Sequence, residues 1–216
     1  GKRMNILPGN LRFGAGQPIK RLEDQRLLTG KGAFIDDKPE DGALWLYILR
    51  SPHAHAKIVS IDTAAAAGMP GVTAIYTGAD LVKDNIGTLP TLDIFKRPDG
   101  SPMTVPPRRL LAHEVVRFAG EAVAAVVAKS RVEAQTAAEA ISVDYEVLPS
   151  VVDPLEAVKP GAPVVWPQAP DNIVAAMTYG DAAKVEEAFS RAAHTVSLDL
   201  VSQRLVPSAM EPRSTI

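Results

Sequence analysis

Cysteine does not occur in the 216 residues. Its absence excludes disulfide staples, a thiolate nucleophile, Cys-ligated zinc and any iron–sulfur cluster held by this chain. An excess of charge of one sign is also lacking. The 23 Lys and Arg residues stand against 25 Asp and Glu, a net charge of −2, so the chain carries no electrostatic footprint for nucleic acid or an anionic membrane surface. No apolar run approaches the roughly 18–20 residues that span a bilayer. The first 20 residues, GKRMNILPGNLRFGAGQPIK, contain no continuous apolar segment of the secretory type; a cytoplasmic location is therefore expected. The four histidines are scattered and no Gly-x-Ser-x-Gly occurs, so no Ser–His–Asp set can be argued. No repeat of 20–50 residues is visible.

What remains is the composition of an ordinary globular protein, 46% apolar and 22% charged. The length suits one large domain, or one compact domain with part of a second. Proline is the plentiful residue, 18 in all, clustered at 90–107 and 149–170 where it marks irregular chain.

Residues 115–154 organise the rest. Ala122 to Ala128 is short, uncharged and rich in valine, as a strand covered on both faces should be. Ser130 and Glu133 have the spacing of a capping box, each side chain meeting a backbone N–H at a helix start. Ala134, Ala137, Ala138 and Ile141 follow at i, i+3, i+4 and i+7, a small-residue stripe that lets a helix lie close on a sheet. Val143, Tyr145 and Val147 then alternate with Asp144 and Glu146, the pattern of a half-buried strand. The expectation is a strand–helix–strand core. It is a scaffold, without chemistry of its own.

Around this core, Ala43 to Arg50 and Val72 to Tyr76 read as strands, and Ala64–Ala67 as a short helix capped by Asp62 or Thr63. Gly30 and Gly32 suit a tight turn. His53 and His55 at i and i+2 on a strand would share a face, but no third ligand lies near, and edge positions of no special role are the plainer reading. Residues 77–112 read as a long polar and Pro-rich excursion, functional or packed on a partner. Its basic pairs Lys96-Arg97 and Arg108-Arg109 sit among acids, which favours a solvated or interface loop over phosphate binding. The adjacent acids Asp36-Asp37 and Glu186-Glu187 point apart and read as solvated surface. After Pro154 the chain reads as an extended connector stiffened by proline. Asp181 then caps a helix over Ala182 to Ala192, and Thr195 to Val201 alternates as a strand.

Several strings, taken in order, resemble a known family. They are Gln17-Pro18, Arg21-Leu22-Glu23-Asp24, Arg26 through Gly32, Asp36-Asp37, Arg50-Ser51-Pro52-His53-Ala54-His55-Ala56, Gly68-Met69-Pro70-Gly71-Val72, Gly120-Glu121-Ala122-Val123-Ala124, Val143 through Pro149, and Gln203-Arg204 with Met210-Glu211-Pro212-Arg213. Together they look like the opening of the large subunits of molybdenum hydroxylases: the xanthine dehydrogenase, aldehyde oxidase and aerobic CO dehydrogenase relatives. The resemblance implies an α+β fold, with an α/β-hammerhead domain followed by the first helix–strand unit of a molybdenum-cofactor-binding domain. The implied organisation is an N-terminal arm at 1–26, the hammerhead at 27–150, a Pro-rich connector at 151–180, and the start of a molybdopterin-binding domain, truncated or split, at 181–216.

The resemblance further implies the N-terminal part or a split subunit of a molybdopterin-dependent hydroxylase or dehydrogenase. Such an enzyme oxidises an aldehyde, a purine-like or aromatic N-heterocycle, or CO, with water-derived oxygen in the hydroxylations. Molybdopterin, as the cytosine dinucleotide, would carry molybdenum in the assembled enzyme, with FAD and 2Fe–2S clusters in partner subunits and no cofactor on this chain alone. The implied partners are the remainder of the molybdenum-binding large subunit, an FAD-binding subunit, a 2Fe–2S subunit and the small-molecule substrate. The family's Gly-Gly-Phe-Gly-type cofactor loop and catalytic glutamate are absent from this sequence. No catalytic residue is therefore expected on the chain, and no metal ligand.

Three candidates remain. Gln203 carries an amide that can donate to an oxo ligand or accept from a pterin amine. Glu211 and Arg213 either line a substrate funnel or form a buried pair that orients the backbone. The alternative is a non-catalytic hammerhead-fold assembly or binding module.

Overall fold

The computed structural model describes residues 21–38, 40–203, 205–209, 211 and 213–215. The chain divides into two compact units, Gly1–Asp41 with Leu200–Ile216, and Gly42–Asp199. In the first, helix α1 spans Asp24–Leu28, and Gly30 takes the left-handed φ of +69° that lets the chain reverse after it. A 3-10 turn follows at Ile35–Asp37. It is tied at its start by the Phe34 N–H, which donates to Asp37 Oδ2 at 3.0 Å.

The second unit contains two three-stranded antiparallel sheets. Strands β1 (Trp45–Arg50), β3 (Val72–Thr77) and β5 (Ala122–Ala128) form the first, in the order β1-β5-β3. Strands β2 (Ala56–Asp62), β4 (Val115–Val116) and β6 (Ser142–Val147) form the second, in the order β4-β2-β6. Helix α4 (Arg131–Glu139) links β5 to β6 and lies on the first sheet. The expected strand–helix–strand run is present, but its two strands belong to different sheets. Both edges of β5 are taken by β1 and β3, so β6 pairs instead with β2.

The alanine stripe does what its spacing implied. Ala134, Ala137 and Ala138 are buried, and Ala137 and Ala138 pack with Ala124, Val126 and Ala66 of the short helix α2 (Ala64–Ala67) and with Ile141, which lies just past the end of α4. Tyr47, Leu49, Val72 and Ile75 close the same cluster from β1 and β3. A second cluster of Ala56, Ala112, Val116 and Val123 joins β5 to the inner face of the other sheet, with Ile58, Ile61, Val143 and Tyr145 around it.

The caps depart from expectation in detail. The Ser130 hydroxyl accepts the Glu133 N–H at 3.2 Å, but Glu133 Oε2 accepts that hydroxyl at 2.8 Å rather than a backbone N–H. The Glu133 carboxylate lies against Gly71, where a Cβ would collide with it. A full capping box appears where none was expected. Thr77 Oγ1 accepts the Asp80 N–H at 3.4 Å, and Asp80 Oδ2 accepts the Thr77 N–H at 2.8 Å, which opens helix α3 at Gly78–Lys83. The excursion at 77–112 thus begins as a helix. Gly78 is required there because a Cβ would strike the Ala112 carbonyl.

The rest of that excursion folds back on itself and meets the Pro-rich connector. The Leu89 N–H donates to the Arg108 carbonyl at 2.7 Å, the Ala176 N–H to the Lys96 carbonyl at 2.7 Å, and the Thr104 N–H to the Val174 carbonyl at 3.0 Å. The connector itself contains helix α5 (Pro154–Ala157), capped by Asp153 with proline in its first turn. Helix α6 (Ala182–Ser190) is capped by Asp181, whose Oδ1 accepts the Lys184 N–H at 3.1 Å. The expected strand over Thr195 to Val201 does not form. Alternation gives two faces, but a strand also needs a neighbour to accept its ladder bonds, and none pairs with it among the described residues.

Candidate functional site

A concavity of about 160 Å³ in the larger unit is lined by Arg109, His113, Arg117, Glu121, Trp166 and Gln168, among others. The local chain follows from the turn after β4. Gly120 has φ +89°, and its N–H donates to the Ser51 carbonyl at 2.7 Å while the Ser51 N–H donates to the Glu121 carbonyl at 2.8 Å. This fixes Glu121, whose Oε2 accepts the Arg117 backbone N–H.

The Arg117 guanidinium then lies 3.7 Å from the centre of the Trp166 ring, a cation–π distance. Its Nε donates to the Val165 carbonyl at 3.2 Å and its Nη1 to the Val115 carbonyl at 3.3 Å. Burial lowers the Arg117 pKa, and the Glu121 and Glu114 carboxylates oppose that shift; the group stays protonated. A guanidinium held by two carbonyls and an indole is a latch between β4 and the connector, and has no lone pair for proton transfer. The mixed charge of the lining, with Arg109, Arg117 and His113 beside Glu114 and Glu121, fits neither a strong anion site nor a cation site.

A second latch joins the excursion to the connector. The side chain of Arg97, only 16% exposed, pairs with Asp171 at 2.7 Å. It also donates to Thr104 Oγ1 at 3.1 Å and to the Ile173 carbonyl. The Arg97 hydrogen bond holds the Asp171 carboxyl below its usual range. Asn172, with φ 58°, is the hub between these latches. Its Nδ2 donates to the Ala157 and Pro163 carbonyls at 2.8 and 2.9 Å, and its Oδ1 accepts the Val165 N–H at 3.0 Å. Of these groups the sequence marked only Arg97, as one of a basic pair in a solvated or interface loop, and not its partners. Asn and Trp embedded among prolines were the available signal, and their partners lie far away along the chain.

The residues singled out from sequence lie elsewhere. Gln203, Glu211 and Arg213 belong to the smaller unit and are all exposed. Glu211 Oε1 accepts the Ile35 N–H at 3.2 Å, so it ties the 3-10 turn to the far end of the sequence. Glu211 and Arg213, weighed as a funnel lining or a buried pair, are both exposed in this chain, and among the described residues no ion pair joins the two. Both charges keep their hydration, which a buried pair forfeits. The two histidines also separate: His53 meets the Tyr145 ring edge-on at 4.9 Å, whereas His55 Nδ1 lies 2.7 Å from the Pro149 carbonyl. Among the described residues no three His, Asp or Glu side chains are grouped so as to hold a metal ion. No helix among them is long and apolar enough to cross a membrane. The side chains present do not amount to a pterin or molybdenum site by themselves: Gln203 and Arg213 have no fixed partner among the described residues, and Glu211 is engaged by backbone.

Comparison with known proteins gives a consistent answer. A family model described as "Aldehyde oxidase and xanthine dehydrogenase, a/b hammerhead domain" matches residues 29–149. The nicotine 6-hydroxylase large subunit of Paenarthrobacter nicotinovorans is 40% identical over 204 residues, covering 93% of this chain and 24% of that protein. The carbon monoxide dehydrogenase large chain of Afipia carboxidovorans is 38% identical over 213 residues, covering 92% and 25%. Among solved structures, the Cu,Mo-CO dehydrogenase in its carbon monoxide reduced state is similar with a TM-score of 0.65 and 38% identity, over 83% of this chain and 23% of that one. The chain thus spans about a quarter of the length of these curated relatives.

Proposed function

Because the chain belongs to the aldehyde oxidase and xanthine dehydrogenase family and carries its a/b hammerhead domain, we propose that it is the N-terminal part, or a split subunit, of a molybdopterin-dependent hydroxylase or dehydrogenase. The observation that carries this reading is identity of about 40% to large subunits over nine-tenths of the chain. The substrate class is an aldehyde, an N-heterocycle or CO. Relatives are named for nicotine hydroxylation and for carbon monoxide dehydrogenation. The chain's own contribution is scaffold. Its two sheets and the latched connector brace a cofactor domain supplied mostly by other sequence.

In this reading Gln203 belongs to the surroundings of the cofactor, a molybdenum-loaded molybdopterin in its cytosine dinucleotide form. Glu211 and Arg213 stand at the substrate funnel or brace it. The Glu211 bond to the Ile35 N–H supports bracing. The partners are the remainder of the large subunit, an FAD-binding subunit and a 2Fe–2S subunit, in the cytoplasm. Against a self-sufficient binding module stands α6, which has no buried residue. Val185 and Phe189 on its apolar stripe are 52% and 58% exposed, and a helix this short gains its stability from packing that stripe.

Purification of the native assembly tests the reading. Companion polypeptides should accompany the chain, with molybdenum, flavin and iron in fixed ratio. A stable, metal-free monomer from the native source would sink it.

A further inference from the structure

The sheet β1-β5-β3 has one face closed by α4 and a second, apolar face that is covered at Val123 by the second cluster, buries Ala125, half-buries Ile48, Ala74 and Val127, and is exposed at Leu46 and Tyr76. Pairing sets the second face in two cross-strand rows. Leu46 stands opposite Val127, which stands opposite Ala74; Ile48 stands opposite Ala125, which stands opposite Tyr76. Leu46 is 62% exposed and Tyr76 43%, and neither row contains a charged residue. The sheet β4-β2-β6 offers the contrast inside the same unit. Its face away from the core presents Lys57, Ser60, Asp62, Asp144 and Glu146, the polar covering of a solvated sheet, and its exposed apolar residues are Val59 at the β2 bulge and Val147 at the end of β6. Strand β5, by comparison, is apolar at every position from Ala122 to Ala128, the composition of a strand covered on both faces.

We propose that the face formed by Leu46, Ile48, Ala74, Tyr76, Ala125 and Val127 is the docking surface for an apolar element of the remaining large subunit. This rests on the proposed function, since the occupant is the polypeptide that completes the family enzyme. Two observations select that occupant. Three strands about 4.8 Å apart, with same-face rows about 7 Å apart, give a patch of a few hundred Å² at most, short of the roughly 800 Å² per partner that holds a stable dimer. A second copy bound through this face alone is therefore disfavoured, whereas an element already tethered by other contacts needs no more area than this. The relatives supply such polypeptide, because this chain accounts for only 24–25% of their length.

Hydroxyl-radical footprinting tests the assignment without a substitution. Side-chain labelling of Leu46 and Tyr76 is compared between the 216-residue chain and the assembled enzyme, with molybdenum measured in the same preparation. At least fivefold slower labelling of both residues in the enzyme is expected. Equal labelling in a molybdenum-loaded enzyme overturns the docking surface and leaves the proposed function standing. Slow labelling in the 216-residue chain that speeds up on dilution makes a second copy the occupant, and overturns the proposal as well. Protection in an assembly that contains no molybdenum keeps the surface and removes the functional reading.

Discussion

The two sheets of the larger unit are built from similar lengths of strand, yet they differ in how they treat water. The β4-β2-β6 sheet buries one face and turns lysine, serine and acids outward. The β1-β5-β3 sheet buries one face under alanines of α4 and leaves leucine, isoleucine and tyrosine on the other. The first is mostly polar on its outer face; the second is the face proposed to be covered. On the proposed docking, the difference assigns holding the unit together and meeting other polypeptide to different sheets of one small unit.

The sharpest way to break this contrast is to place a charge on each sheet. Val126 is fully buried in β5, so Val126→Asp strands a carboxylate without a partner at a cost of about 3–5 kcal/mol. Ser60→Lys, on the solvated strand β2 opposite Asp144, should change stability by no more than about 0.5 kcal/mol. Chemical denaturation of the two variants measures both, and comparable losses would mean that the second sheet is also covered. A smaller effect is expected where α4 meets β5. Ala137 and Ala138 have no exposed surface, so replacing either with Phe should cost about 1–3 kcal/mol by overpacking and lower the yield of assembled complex. Unchanged stability and yield in both variants would show that the stripe is not packed as described.

The connector is held to this scaffold by a titratable latch, which adds a pH test. Asp171 has its pKa lowered by the Arg97 hydrogen bond. A lowered folded-state value contributes stability above the ordinary carboxylate value of about 3.9, and that contribution is lost as pH falls through the lowered folded pKa. Protection of the Ala176 and Thr104 amides, which bridge excursion and connector, should therefore decline below about pH 4. In Asp171→Asn the protection should be lower at neutral pH and lack this step. A step that survives the substitution would assign it to another carboxyl group.

Much of this was legible in the sequence, for identifiable reasons. The α4 stripe, the uncharged run of β5 and the alternation of β6 are local patterns with a period, and each formed as its pattern implied. Pairing was not local. Nothing in Ala122 to Val147 says that β5 and β6 enter different sheets, because that depends on β1, β3 and β2 occupying their edges. Alternation also misled at Thr195 to Val201, where two faces exist without a ladder partner among the described residues. The latches were invisible for a related reason. Arg97 and Asp171 are 74 residues apart and Arg117 and Val165 are 48 apart, and a polar side chain does not declare its partner. Gln203, Glu211 and Arg213 were found only through family resemblance. In this chain Glu211 and Arg213 are exposed and form no pair with each other among the described residues.

The mildest test asks whether the outer face of β4-β2-β6 is truly wet. Lys57 stands opposite Glu146 across the β2–β6 pair, with its Nζ 3.1 and 3.0 Å from the two carboxylate oxygens. Both side chains are more than half exposed, so water screens the attraction and the expected coupling is only about 0.2–1 kcal/mol. A double-mutant cycle with Lys57→Ala and Glu146→Ala should return a value in that range at low ionic strength. It should shrink toward zero in about 1 M salt, where the screening length falls to about 3 Å. A larger coupling that ignores salt would mean that low-dielectric material already covers this face, and the distinction between a solvated sheet and a docking sheet would disappear.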